Sequence, residues 1–124
     1  MKDYKLTNYE LELMDVIWRQ GEATVQDVCN SLSRELAYTT VMTTLSLLVN
    51  KKKVLNRVKQ GRSYLYRPTV TRDEVSVFVL DHVKKVLLED SPSKFVLSFL
   101  ENEEISDDDI AAIKKAIHKL EKKR

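Results

Sequence analysis

The chain has 124 residues, 43% of them hydrophobic and 32% charged, with a formal net charge of +2. That is room for one compact core, or a small domain with a helical appendage, and none for a large multi-domain enzyme. Two glycines, two prolines and one cysteine favour long helices with few tight turns and exclude an internal disulfide or a cysteine-based zinc site.

In chain order, Thr7-Asn8-Tyr9-Glu10 is a capping box, in which hydroxyl and carboxylate each accept the other's backbone amide. It predicts a helix from Asn8 to about Gln20, with Leu11, Met14, Ile17 and Trp18 as its apolar stripe and Gly21 as its exit. Thr24, with Asp27 three positions on, caps a short second helix whose stripe is Val25, Val28, Cys29, Leu32 and Leu36. Cys29 reads as a core residue. After a link around Leu36 and Ala37, a third helix is expected from about Thr39 to Lys52, turning Val41, Leu45 and Leu48 inward. Its opposite face, Thr39, Thr40, Met42, Thr43, Ser46, Leu47 and Asn50, is small, polar or flexible, and Lys51-Lys52-Lys53 suits the negative end of the helix dipole.

The period then changes. Val54 to Lys59 and Arg62 to Arg67 read as two strands joined by Gln60-Gly61, with Pro68 ending the pairing. Tyr64 and Tyr66 share one face and read as packed on the sheet. Thr71-Arg72-Asp73-Glu74 opens a further helix with Val75, Phe78, Val79, His82, Val83 and Val86 along one side. A boundary near Thr69 thus divides residues 1–69 from a helical segment, residues 70–124. Ser91-Pro92 starts a short apolar helix carrying Phe95, Val96, Phe99 and Leu100. Ser106 starts the last one, acidic at Asp107 to Asp109, basic at its end, with Ile110, Ile113, Ile117 and Leu120 as its stripe.

Three helices followed by a basic hairpin give the fold class: mainly α, a winged helix-turn-helix, whose third helix lies in a DNA major groove. Charge supports this, because residues 34–67 hold eight Lys/Arg against one acid, Glu35, whereas residues 71–124 are net negative. Thr40, Met42, Thr43 and Ser46 are the candidates for base readout. Tyr38, Thr39, Lys51, Lys53, Arg57 and Arg62 are the candidates for phosphate contact, with Lys59 and Arg67 also on the wing.

The last helices are too short and too apolar to stand alone, so pairing with a second copy is expected through Phe78, Val79, Phe95, Val96, Phe99, Leu100, Ile110, Ile113, Ile117 and Leu120. No nucleophile, base and oxyanion-donor arrangement and no glycine-rich phosphate loop suggests catalysis. Asp107 to Asp109 read as dipole residues and His82 and His118 as ordinary histidines, so neither metal nor cofactor is expected. No apolar run reaches bilayer length and the Met1-Lys2-Asp3-Tyr4-Lys5 start lacks a secretory stretch, which predicts a cytoplasmic protein without a membrane partner. The competing reading is a winged helix used for protein docking or RNA association.

Residues Leu6 to Trp18, Ala23 to Val28, Ala37-Tyr38-Thr39-Thr40-Val41-Met42-Thr43 and Gly61 to Pro68 resemble the penicillinase repressor (BlaI/MecI/CopY) family, and the likeness extends through Ile105-Ser106 to the last helix. The resemblance implies a homodimer that occupies a pseudo-palindromic operator and represses resistance or homeostasis genes. It further implies, for the β-lactam-responsive members, relief through a signalling protease that cuts an Asn-Phe bond, matched here by Ser98-Phe99. The copper-responsive members carry Cys-x-Cys pairs near the C-terminus, and no cysteine follows Cys29, which removes that route of sensing. Leu47 and Lys52 stand where the family often has arginine and glycine, so DNA contacts and the turn after the third helix are expected to differ.

Overall fold

A computed structural model describes residues 1–124. The elements run α1 (Asn8–Gln20), α2 (Val25–Ser31), α3 (Tyr38–Asn50), β1 (Leu55–Gln60), β2 (Ser63–Pro68), α4 (Arg72–Leu87), α5 (Pro92–Asn102) and α6 (Asp107–Lys122). This is a mainly helical winged helix-turn-helix. Contacts divide the chain into two compact units, Met1–His82 and Val83–Arg124.

In the first unit the helix starts follow their local chemistry. The Thr7 hydroxyl accepts from the Glu10 amide at 3.1 Å, and the Thr7 amide donates to the Glu10 carboxylate at 2.8 Å. Thr24 and Asp27 repeat this at 3.1 and 3.0 Å at the head of α2. α2 stops at Ser31, earlier than its apolar stripe suggests, because Leu32 turns extended (φ −72°, ψ 145°). Leu32 and Leu36 still pack against the core, but from the loop.

Val41, Leu45 and Leu48 of α3 are fully buried. The helix ends at Asn50 rather than Lys52, since the Lys51 and Lys52 amides both bond to the Leu47 carbonyl, at 2.9 and 3.1 Å. Lys53 then takes φ 60°, a left-handed conformation that costs a residue with a Cβ about 1–2 kcal/mol. Lys53→Gly relieves that cost against some loss of chain entropy, so it is expected to stabilise the protein by about 0.5–1 kcal/mol, read from its urea midpoint.

The hairpin register pairs Leu55 with Pro68 and Gln60 with Ser63. Its turn is therefore Gly61-Arg62, one residue later than Gln60-Gly61. Gly61, at φ 63°, occupies the first central position, where a type II′ turn takes glycine. Ala23 adds a bridge to Tyr66, amide to carbonyl in both directions at 3.0 and 2.8 Å, and this ties the hairpin to the α1–α2 loop. Tyr66 is buried as a result, with Leu13, Met14, Ile17, Val28, Val54 and Leu55 in the same core.

The start of α4 belongs to this core. Val70 and Val75 are buried in it, and the Trp18 indole donates to the Val70 carbonyl at 2.9 Å. Arg72 lies over the Trp18 ring, 5.0 Å from its centroid, and pairs with Asp15 at 2.9 Å. Tyr4 meets Phe78 with ring centroids 5.9 Å apart and donates to Glu74 at 3.2 Å. Residues 70–82, which the sequence groups with the C-terminal helices, thus pack within the first unit.

The second unit holds the end of α4 with α5 and α6. Ser91 caps α5 through the Lys94 amide at 3.2 Å, with Pro92 in the first turn. Ser106 and Asp109 form a capping box at 3.0 and 3.4 Å. No residue of α5 or α6 is buried. Val96, Leu97, Phe99, Ile110, Ile117 and Leu120 are between 40% and 63% exposed. No helix of the chain is long and apolar enough to cross a membrane.

Candidate nucleic-acid interface

The residues nominated for base contact lie on the face of α3 opposite its buried stripe. Thr40, Met42 and Thr43 are exposed and Ser46 is half-buried. Small side chains here leave the helix backbone open to close approach. The Thr43 hydroxyl donates to the Thr39 carbonyl at 2.8 Å, and the Thr44 hydroxyl to that of Thr40 at 3.2 Å. Tyr38 and Thr39 are exposed in the first turn.

The start of α3 differs from every other helix start. Thr7, Thr24, Thr71, Ser91 and Ser106 each offer a side-chain oxygen to a first-turn amide. Ala37, the residue before α3, has none. The amides at this positive end of the helix dipole are thereby left to an external anion.

Ion pairing sorts the eight basic residues between Arg34 and Arg67. Arg34 pairs with Glu12 at 3.1 Å and Lys52 with Glu10 at 2.7 Å. Arg67, expected to grip a phosphate backbone, instead pairs with Glu22 at 3.0 Å, because the Ala23–Tyr66 bridge holds β2 beside that loop. Lys51, Lys53, Lys59 and Arg62 are exposed and Arg57 is half-buried, and these five carry no carboxylate partner. They flank α3 at its end and along the wing.

Two arrangements were not legible from the sequence. The Lys52 ammonium turns inward, donating to the Lys5 carbonyl at 2.6 Å as well as to Glu10. The Arg57 guanidinium donates to the Ser46 hydroxyl at 3.2 Å and lies over the Tyr64 ring, 4.3 Å from its centroid. Arg57 and Tyr64 are diagonal neighbours on one face of the hairpin, since Arg57 stands opposite Tyr66. Their shared face on neighbouring strands was the one available hint.

Comparison with known proteins agrees with this geometry. A sequence model described as penicillinase repressor matches residues 6–119. The transcriptional regulator BlaI of Mycobacterium tuberculosis is 36% identical over 121 residues, covering 94% of this chain and 86% of that protein. The penicillinase repressor of Bacillus licheniformis is 29% identical over 108 residues, covering 86% and 84%. Among solved structures, the DNA-binding domain of the repressor BlaI superposes with a TM-score of 0.52 at 32% identity, covering 60% of this chain and 93% of that one.

Proposed function

The chain belongs to the penicillinase repressor family of transcriptional repressors, and from that premise we propose that it acts as a cytoplasmic homodimer on a pseudo-palindromic operator, controlling antibiotic-resistance or stress-response genes. The observation that carries this reading is the surface of α3: an exposed hydroxyl-rich face, a start without a side-chain cap, and five unpaired cations around it. Thr40, Met42, Thr43 and Ser46 read base edges, while Tyr38, Thr39, Lys51, Lys53, Arg57 and Arg62 hold the phosphates. Residues 1–69 supply this DNA-binding role.

Residues 70–124 supply dimerisation. The apolar stripes of α5 and α6 lie open in the single chain, and burying each large aliphatic or aromatic side chain against a second copy contributes about 1.5–3 kcal/mol. Phe78, Val79, Phe95, Val96, Phe99, Leu100, Ile110, Ile113, Ile117 and Leu120 form that contact. Relief of repression follows from any event that separates the copies, and cleavage at Ser98-Phe99 by a signalling protease is the event proposed. Ser98-Phe99 lies within α5 (Pro92–Asn102), inside the proposed dimer contact, so cutting there removes the helix that joins the copies.

Selection of bound duplexes from a random pool tests the reading. The full chain is expected to enrich an inverted repeat whose half-sites lie one helical turn, about 10 base pairs, or a multiple of it, apart. Enrichment of no sequence would overturn it. Within the selected operator, Thr43→Ala should relax preference at particular base pairs. Arg62→Ala should weaken all sequences about equally and lower the salt slope by about one, in a titration over salt concentration.

A further inference from the structure

The hydrogen bonds of two hydroxyls on the outer face of α3 have fixed directions, because their partners have only one possible role. A guanidinium has donors and no acceptor, so Ser46 Oγ must accept from Arg57 Nη1 at 3.2 Å. A carbonyl has only acceptor capacity, so Thr43 Oγ1 must donate its hydrogen to the Thr39 carbonyl at 2.8 Å. The two side chains are left with different capacities. Ser46 alone keeps a hydrogen to donate, beside one lone pair that Arg57 does not occupy, whereas Thr43 keeps only lone pairs to accept.

We infer that Ser46 and Thr43 read opposite hydrogen-bond polarities in the major groove, Ser46 a base acceptor and Thr43 a base amine, and that Arg57 sets the first of these as a positioning residue. The chemistry of the partners follows directly. Ser46 takes purine N7, guanine O6 or thymine O4, and Thr43 takes adenine N6 or cytosine N4. Arg57 is kept in place by the Tyr64 ring, 4.3 Å from its carbon, so the wing as well as α3 determines what Ser46 can read. Its other guanidinium hydrogens stay available to phosphate. The inference rests on the reading that α3 enters the major groove.

Every base pair presents both polarities in that groove, so base preference alone does not discriminate, and atom deletion does. The experiment uses the full chain and its selected operator, with analogues introduced one position at a time. Acceptors are removed by 7-deazapurines for N7, by 2-aminopurine for guanine O6 or by 5-methyl-2-pyrimidinone for thymine O4, and amines by purine for adenine or 2-pyrimidinone for cytosine. The parent is expected to lose about 5- to 10-fold in affinity at each contacted atom, the loss of one good hydrogen bond. Ser46→Ala should become indifferent to one acceptor deletion and keep its response to every amine deletion. Thr43→Val, which keeps the shape and removes the lone pairs, should become indifferent to one amine deletion only. Arg57→Met should lose the same response as Ser46→Ala, and the double variant should lose no further one.

A Ser46→Ala variant that becomes indifferent to an amine deletion, or to no deletion, overturns the inference. So does an Arg57→Met variant that keeps the acceptor response. In each case a parent that still selects a two-half-site operator leaves the broader reading standing. A parent that selects no operator removes both. Unchanged thermal melting of each variant separates these results from a loss of folding.

Discussion

Lys52→Ala is expected to lower the unfolding free energy by about 3 kcal/mol, because it leaves the Glu10 carboxylate buried without its cation. Glu10 is 6% exposed, and the Lys52 ammonium reaches it at 2.7 Å while also bonding the Lys5 carbonyl. The pair joins the start of α1 to the end of α3, so it fixes the base of the proposed recognition helix against the core. Glu10→Gln keeps the cap that holds Thr7 and removes the charge. The double variant Glu10→Gln/Lys52→Ala should cost less than the sum of the single changes by about 1–2 kcal/mol. Urea unfolding of the four proteins measures this, and additive losses would show that the two side chains do not act as a pair.

The same pair predicts a pH dependence. Burial by itself raises the Glu10 pKa, but the hydrogen bond and charge of Lys52, with the Thr7 amide and hydroxyl, outweigh it and hold the carboxyl below its ordinary value. A folded-state pKa below the unfolded one means stabilisation that is present in full above the ordinary glutamate value of about 4.3 and lost as the pH falls through the folded-state value. Acid should therefore narrow the stability gap between the parent and Glu10→Gln. A gap that stays constant from pH 7 down to acid unfolding would contradict this.

Placing aspartate on the exposed stripes, as Phe99→Asp with Ile117→Asp, is expected to produce a monomer and to reduce operator affinity by about 10²- to 10⁴-fold. The reason is effective concentration: in a dimer the second half-site is bound intramolecularly, at roughly millimolar local concentration, and a monomer loses that advantage without losing a single DNA contact. Both positions lie on helices with no buried residue, 58% and 50% exposed, so the substitutions should leave the first unit folded. Affinity for an isolated half-site should stay within about twofold, because α3 and the wing are untouched. Sedimentation and binding titrations read the two effects together. A variant that remains dimeric, or a monomer that holds the full operator as tightly as the parent, would place the dimer contact elsewhere or remove its role in affinity.

Local chemistry made much of the fold legible. The starts of α1, α2, α5 and α6 follow from Thr7, Thr24, Ser91 and Ser106, since a capping side chain acts on amides two or three residues away. The inward face of α3 follows from Val41, Leu45 and Leu48, since helical period is written into spacing. These features, with the basic stretch from Arg34 to Arg67, were enough to identify a winged helix and its candidate DNA-binding face. The remaining features depend on partners distant in the chain. Leu32 packs from a loop although its spacing suits a helix, because apolar spacing records burial and not the conformation that achieves it.

The hairpin turns at Gly61-Arg62 because its register is set by pairing with β1 and by the Ala23 bridge, neither of which a run of alternating residues specifies. The basic residues show the division most clearly. Eight cations in sequence are equivalent by composition, yet Arg34, Lys52 and Arg67 are drawn to Glu12, Glu10 and Glu22, while Arg57 is drawn to Ser46 and Tyr64. The sequence by itself determined how many charges and hydroxyls this surface has and on which elements they ride. Only the tertiary structure decided which of them face outward with capacity to spare, because ion pairs and hydrogen bonds form between side chains that folding brings within about 3 Å, whatever their separation along the chain.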